Sequence, residues 1–140
     1  MNTYRNFVLA VLSGIAVLTA ALPVTGMRQP MRADIPFDFY VAGKLLPAGT
    51  YTVAVSNFGG AVDVSDRRRN SAFALASSRV HLPANQGKSR LLFKKYGDTS
   101  ILSGVSWTDS DDTLVLPTSA VEELIARRGG ATKSVAVSRK

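Results

Sequence analysis

The stretch PFDFYVAGKLLPAGTYTV, residues 36–53, holds two prolines and two glycines inside a run that otherwise alternates apolar with polar. Starting two residues upstream, Ile35, Phe37, Phe39 and Val41 fall at every second place, while Asp34, Pro36, Asp38 and Tyr40 take the other face. That is the period of a half-buried strand over residues 34–41. Pro36 lacks an amide hydrogen and so belongs at a strand start, an edge or a bulge. Ala42-Gly43-Lys44 is a turn, and Leu46-Pro47-Ala48-Gly49 places proline second and glycine fourth, as a type I turn prefers. Thr50 to Ser56 resumes the alternation, with Tyr51, Val53 and Val55 on one side and Thr50, Thr52 and Ser56 on the other. The stretch reads as a folding device rather than a ligand site. Glycine supplies backbone freedom, proline fixes a dihedral, and the aromatics lie where the period puts the core.

Further strands follow. Asn57 to Gly60 signals a turn, Ala61 to Ser65 a strand with Val62 and Val64 inward, and Asp66 to Asn70 a charged tip. Ala72 to Ser77 is a strand whose inward pair is expected to be Phe73 and Leu75. Residues 78–89 lack a sustained period and read as a loop with a short strand around Val80. RLLFKKY (90–96) and SILSGVSWT (100–108) flank Gly97-Asp98-Thr99 as a hairpin, with Trp107 closing the core. After the acidic residues 109–112 comes a strand from Thr113 to Leu116. Ser119 with Glu122 three places on is a capping box, and Val121, Leu124 and Ile125 have helical spacing, with Gly129-Gly130 as the stop. Residues 131–140 read as a flexible tail, with an edge strand at Val135-Ala136-Val137 as the other option. The expected fold is all-β: a small antiparallel β-sandwich or barrel of about seven short strands with one short C-terminal helix.

The beginning of the chain addresses location. Arg5 precedes the apolar run Phe7 to Leu22, which is shorter than the roughly 20 residues of a spanning helix and is closed by Pro23. This is the pattern of a removable secretory leader, residues 1–26, so the expected location is periplasmic or secreted, with no stable membrane span after cleavage. Small residues suit a cut near Ala21 or Gly26, with Met31-Arg32-Ala33 as a later possibility. Removing 26 of the 140 residues leaves 114, enough for a single β-rich domain over 33–130. The chain has no cysteine, which excludes disulfides, thiolate metal sites and a lipidated cysteine.

The segments PFDFYVAGKLLPAGTYTV, LLFKKYGDTSILSGVSW and LPTSAVEELIARR, taken together, resemble a group of small exported bacterial proteins of unassigned function. The resemblance spans residues 34–128 and rests on the order strand, Gly-Lys, Leu-Pro-Ala-Gly-Thr-Tyr, strand. It implies a leader followed by one compact β-rich domain. It implies no activity and no site residues.

The residues offer little for catalysis. His81 is the only histidine, lies beside Pro83, and has no Gly-x-Ser-x-Gly elbow to serve. Asp109-Ser110-Asp111-Asp112 offers oxygens to calcium but lacks the turn glycine and the bidentate acid of a calcium loop. A pair of carboxylates for glycoside hydrolysis could be drawn from Asp34, Asp38, Asp63, Asp98 and this loop. No cofactor, metal or catalytic set is expected. Charge is more suggestive, since the chain has 17 basic residues against 10 acidic. Arg67-Arg68-Arg69 is the one basic run and a candidate anion-binding surface, joined by Arg79, Lys88, Arg90, Lys94 and Lys95 should the hairpin tips converge. Export argues against nucleic acid as the partner and for an anionic envelope component or a protein. The expected function is therefore an exported, non-enzymatic binding or structural domain. The alternative is a small carrier of an apolar ligand lined by Phe37, Phe39, Tyr51 and Trp107, with a hydrolase as the third class.

Overall fold

A computed structural model describes residues 29–56, 60–81, 88–108, 112–129 and 132–139. Among them are eleven strands and one helix, arranged as two packed sheets, neither of which closes into a barrel. The first sheet has the order β1 (Met31–Ile35), β4 (Gly49–Val55), β5 (Ala61–Ser65), β6 (Ser71–Leu75), all antiparallel. The second runs β11 (Thr132–Ser138), β8 (Arg90–Tyr96), β9 (Thr99–Ser106), β10 (Asp112–Val115), β7 (Ser78–His81). The hairpin of β2 (Phe39–Val41) and β3 (Lys44–Leu46) joins it where β2 pairs with β9 in parallel. That parallel pair departs from the all-antiparallel expectation, and the strands outnumber the expected seven because several are only three to five residues long.

The decisive stretch divides where its proline falls. The alternation over residues 34–41 spans two strands in two sheets, since Pro36 to Asp38 interrupt β1 before β2 begins. A residue without an N–H cannot continue the ladder, so the chain crosses between layers there. Ile35, Phe39 and Val41 remain buried, and Phe37 packs on the edge of the core. Ala42 and Gly43 both take positive φ, 48° and 85°, and close the two-residue β2–β3 hairpin.

The core lies between the sheets. Phe39 meets Tyr51 of the first sheet at 5.1 Å and Phe93 of the second at 5.5 Å, both edge to face. Phe37 meets Phe93 at 5.1 Å in the same manner. Such pairs contribute about 0.5–1.5 kcal/mol each beyond their area burial. Tyr51, Val53, Val55, Val62, Val64 and Trp107 are all buried, as the alternation requires.

Two expectations are corrected, and a third is borne out. In β6 the inward pair is Ala72 and Ala74, and Phe73 and Leu75 are 59% and 58% exposed. The expected helix forms as α1 (Ala120–Arg127) with Ser119 as its cap; on it Leu124 is 60% exposed and Glu122 is the buried residue. The tail read as flexible contains β11, which pairs with β8 from Thr132↔Tyr96 to Ser138↔Arg90, so the edge-strand option is the one that forms. Residues 57–59, 109–111 and 130, parts of the expected turn, acidic loop and helix stop, lie outside the described residues, as do 82–87 and 1–28, which contain the expected leader. No helix among the described residues is long and apolar enough to cross a membrane.

Candidate functional site

The tip between β5 and β6 is built on one carboxylate. Asp66 Oδ1 accepts the backbone N–H groups of Arg68 and Asn70, both at 2.8 Å, and Oδ2 accepts the Asn70 side-chain amide at 2.7 Å. The Asn70 side-chain hydrogen bond foremost, then the backbone bonds and the Arg68 charge, outweigh partial desolvation and hold the Asp66 carboxyl below its ordinary value. Arg69 takes a positive φ of 68° to complete the turn. Asp66 thus fixes the backbone that carries the arginine run.

Across from this tip stands the Pro47-Ala48 corner between β3 and β4. Asp38 Oδ1 accepts the Ala48 N–H at 2.8 Å, and the Tyr51 hydroxyl donates to the Pro47 carbonyl at 2.7 Å. Burial, then the charges of Asp66 and Asp38, raise the Tyr51 phenol above its ordinary value. The ring is locked by the core and its hydroxyl ties the corner down.

Tip and corner are the two walls of a cleft of about 540 Å³. Arg67 and Arg68 enter it from the tip, and Arg32 enters from β1. The floor is the outer face of the first sheet, where register sets Arg32 beside Thr52 and Thr52 beside Ser65. Thr50, one face position along β4, donates its hydroxyl to Asp34 Oδ1 at 2.5 Å. No carboxylate among the described residues lies within 4 Å of the Arg32, Arg67 or Arg68 guanidinium nitrogens. Three cationic forks, the Asp66 carboxylate and a strip of hydroxyls therefore line one concavity, in which the basic groups outnumber the acid. Its chemistry is the binding of anions that also offer hydroxyl groups.

The remaining basic residues do not join it. Arg69 is exposed outside the lining. Arg79 pairs with Asp112 at 3.9 Å, Lys94 with Glu122 at 3.2 Å, and Lys95 lies 5.3 Å over the Phe37 ring. Lys88 and Arg90 flank the start of β8 in the other sheet. His81 Nδ1 sits 3.5 Å from Asp112 Oδ1 at an exposed edge, and no hydroxyl among the described residues is bonded to it. Among the described residues no three His, Cys, Asp or Glu side chains gather into a metal-sized group. Asp34 and Asp38 serve Thr50 and Ala48, and Asp63 accepts from Ser65 at 3.4 Å. Phe39, Tyr51 and Trp107 are packed against other side chains in the core.

Arg32 is the site residue that sequence reasoning missed. It stands in a segment that also reads as a cleavage motif, and only the β1–β4 register brings it opposite Thr52. The alternation of Met31, Ala33 and Ile35 was the available signal that Arg32 belongs to a strand and faces outward. In comparisons with known proteins, the chain matches no family model, no curated protein and no solved structure.

Proposed function

We propose that this protein is an exported, non-enzymatic β-domain that works in the periplasm or outside the cell by binding an anionic envelope component or an anionic protein partner. The observation that carries the reading is the convergence of Arg32 with Arg67 and Arg68 on one cleft, without a carboxylate within salt-bridge reach among the described residues. Guanidiniums that make no salt bridge to a described carboxylate stay available to an external anion, with Arg68 partly matched by the Asp66 charge. The leader-like start of the sequence supports export. The carrier alternative has less support: Phe39, Tyr51 and Trp107 fill the interior that an apolar ligand would need.

The test is recovery of partners from envelope fractions by the protein and by a variant with Arg67, Arg68 and Arg69 changed to serine. Loss of the principal partner in the variant is expected. Equal recovery of every partner by both proteins would remove the reading.

A further inference from the structure

Resting on that anion-binding reading, we infer that the cleft recognises an acidic saccharide, a sugar carrying a carboxylate or a phosphate, rather than a membrane surface or a bare inorganic anion. Three observations lead there. The first is shape: about 540 Å³ is the size of a small-molecule site, and a concavity between the tip and the Pro47-Ala48 corner excludes a flat bilayer. The second is the floor. Thr52 and Ser65 stand on adjacent strands about 4.8 Å apart, and Thr50 and Thr52 are two residues apart on one strand, about 7 Å. Each hydroxyl both donates and accepts, as sugar hydroxyls do. Thr50 gives its proton to Asp34 and Ser65 to Asp63, so both present lone pairs, while the Thr52 side chain is exposed on this face. A bare anion needs the guanidiniums alone and has no use for this strip.

The third observation is what the lining lacks. The large exposed apolar residues, Leu45, Phe73, Leu75, Val80 and Leu124, all lie outside it. A lipid-binding surface needs large apolar anchors beside its cations to enter the headgroup boundary, and this cleft offers only the small Pro47-Ala48 corner and threonine methyls. The division of labour follows from the chemistry. Arg67 and Arg68, on the tip that Asp66 fixes, take the carboxylate or phosphate. Arg32, Thr52 and Ser65, in one row across three strands, take the ring hydroxyls.

The experiment is calorimetric titration of the full chain with five probes: trigalacturonate, glucose 6-phosphate, neutral glucose, inorganic phosphate, and vesicles of phosphatidylglycerol. Expected is binding of at least one acidic sugar about tenfold or more tighter than inorganic phosphate, with no detectable binding of glucose. The two acidic sugars distinguish a carboxylate from a phosphate source, and either supports the inference. Substituting Arg67→Ser with Arg68→Ser should weaken acidic-sugar binding by about tenfold or more, the scale of one lost charge-assisted contact. Thr52→Val, an exposed change that retains shape and strand preference, should weaken it about three- to tenfold while leaving any phosphate binding unchanged. Inorganic phosphate or the vesicles binding as tightly as both sugars, with Thr52→Val neutral, would overturn the saccharide inference and leave anion binding standing. No binding of any anionic probe would overturn both.

Discussion

The Tyr96 hydroxyl donates to Glu122 Oε1 at 2.9 Å, joining strand β8 to a carboxylate of helix α1 that is 3% exposed. Lys94 Nζ reaches the same oxygen at 3.2 Å. Ser119 caps the helix by accepting the Glu122 N–H at 3.2 Å, yet the Glu122 side chain points into the protein and fastens the helix to the second sheet. Glu122→Ala should therefore lower the unfolding free energy by about 1–3 kcal/mol, the range for losing a buried, charge-assisted bond. Glu122→Gln, which can still accept from Tyr96, should lose less. Urea titrations of both variants check this. Equal stability of Glu122→Ala and the parent would show that the contact contributes nothing.

Alkaline stability follows from two phenols. Burial, then the hydrogen bond and charge of Glu122, raise the Tyr96 hydroxyl above its ordinary 10.0, and Tyr51 is raised by its own burial first. A raised folded value means that the native state keeps protons the unfolded chain loses. The contribution is complete below about pH 10 and declines as pH climbs through the folded values. Stability should fall from pH 10 upward, and Tyr51→Phe and Tyr96→Phe should each flatten that fall. Denaturant midpoints between pH 8 and 11.5 measure it, and unchanged slopes in both variants would count against it.

Strand β6 predicts an inversion of the usual core pattern. Phe73→Ser and Leu75→Ser remove exposed side chains and should change stability by no more than about 0.5 kcal/mol. Ala74→Leu forces a larger side chain between the sheets and should cost about 1–3 kcal/mol. The reverse ranking in thermal melts would restore Phe73 and Leu75 to the core.

The acid limb belongs in part to Asp66. Its depressed carboxyl contributes stability that is present above the unfolded value near 3.8 and lost as pH falls through the lower folded value. Asp66→Asn should be less stable than the parent at neutral pH and should converge with it as pH falls through the lower folded value. A gap that stays constant across the acid range would assign the effect to shape rather than to charge.

Much of this was legible in the sequence because it is local. Alternation placed Tyr51, Val53, Val62 and Val64 inward, and the hairpin at Gly97-Asp98 and the Ser119 cap follow from turn and cap chemistry. Period alone failed in β6, where Ser-Ala-Phe-Ala-Leu alternates equally well in either phase. The close approach of β2 and β3 to that strand selects alanine as the inward set. It failed at Glu122 for a related reason: a buried carboxylate is tolerated only because Tyr96 and Lys94, on a distant strand, satisfy it. The arginine run was visible, but the cleft was not. Arg32, Thr52 and Ser65 become neighbours only through strand pairing between segments far apart in the chain.

The same pairing limits where a leader can be removed. Trp107 Nε1 donates to the Gln29 carbonyl at 3.3 Å, and Met31 and Ala33 are buried in the core with β1 registered from Met31↔Val53 to Ile35↔Gly49. A cut after Ala33 would delete two buried side chains, leave the β4 edge unpaired at Tyr51 and Val53, and remove Arg32 from the cleft. By the scale of large core deletions it would cost about 2–5 kcal/mol, a large share of a small domain's stability. A cut at Gly26 removes none of these contacts. Chains beginning at residue 27 should therefore match the full chain in urea midpoint, and chains beginning at residue 34 should be severely destabilised. Should the chain be exported with removal of a leader, as proposed, the intact mass of the mature form is expected to correspond to a start at or before Gln29. Recovery of a stable, exported form beginning at Asp34 would contradict both the processing prediction and the place of β1 in the sheet.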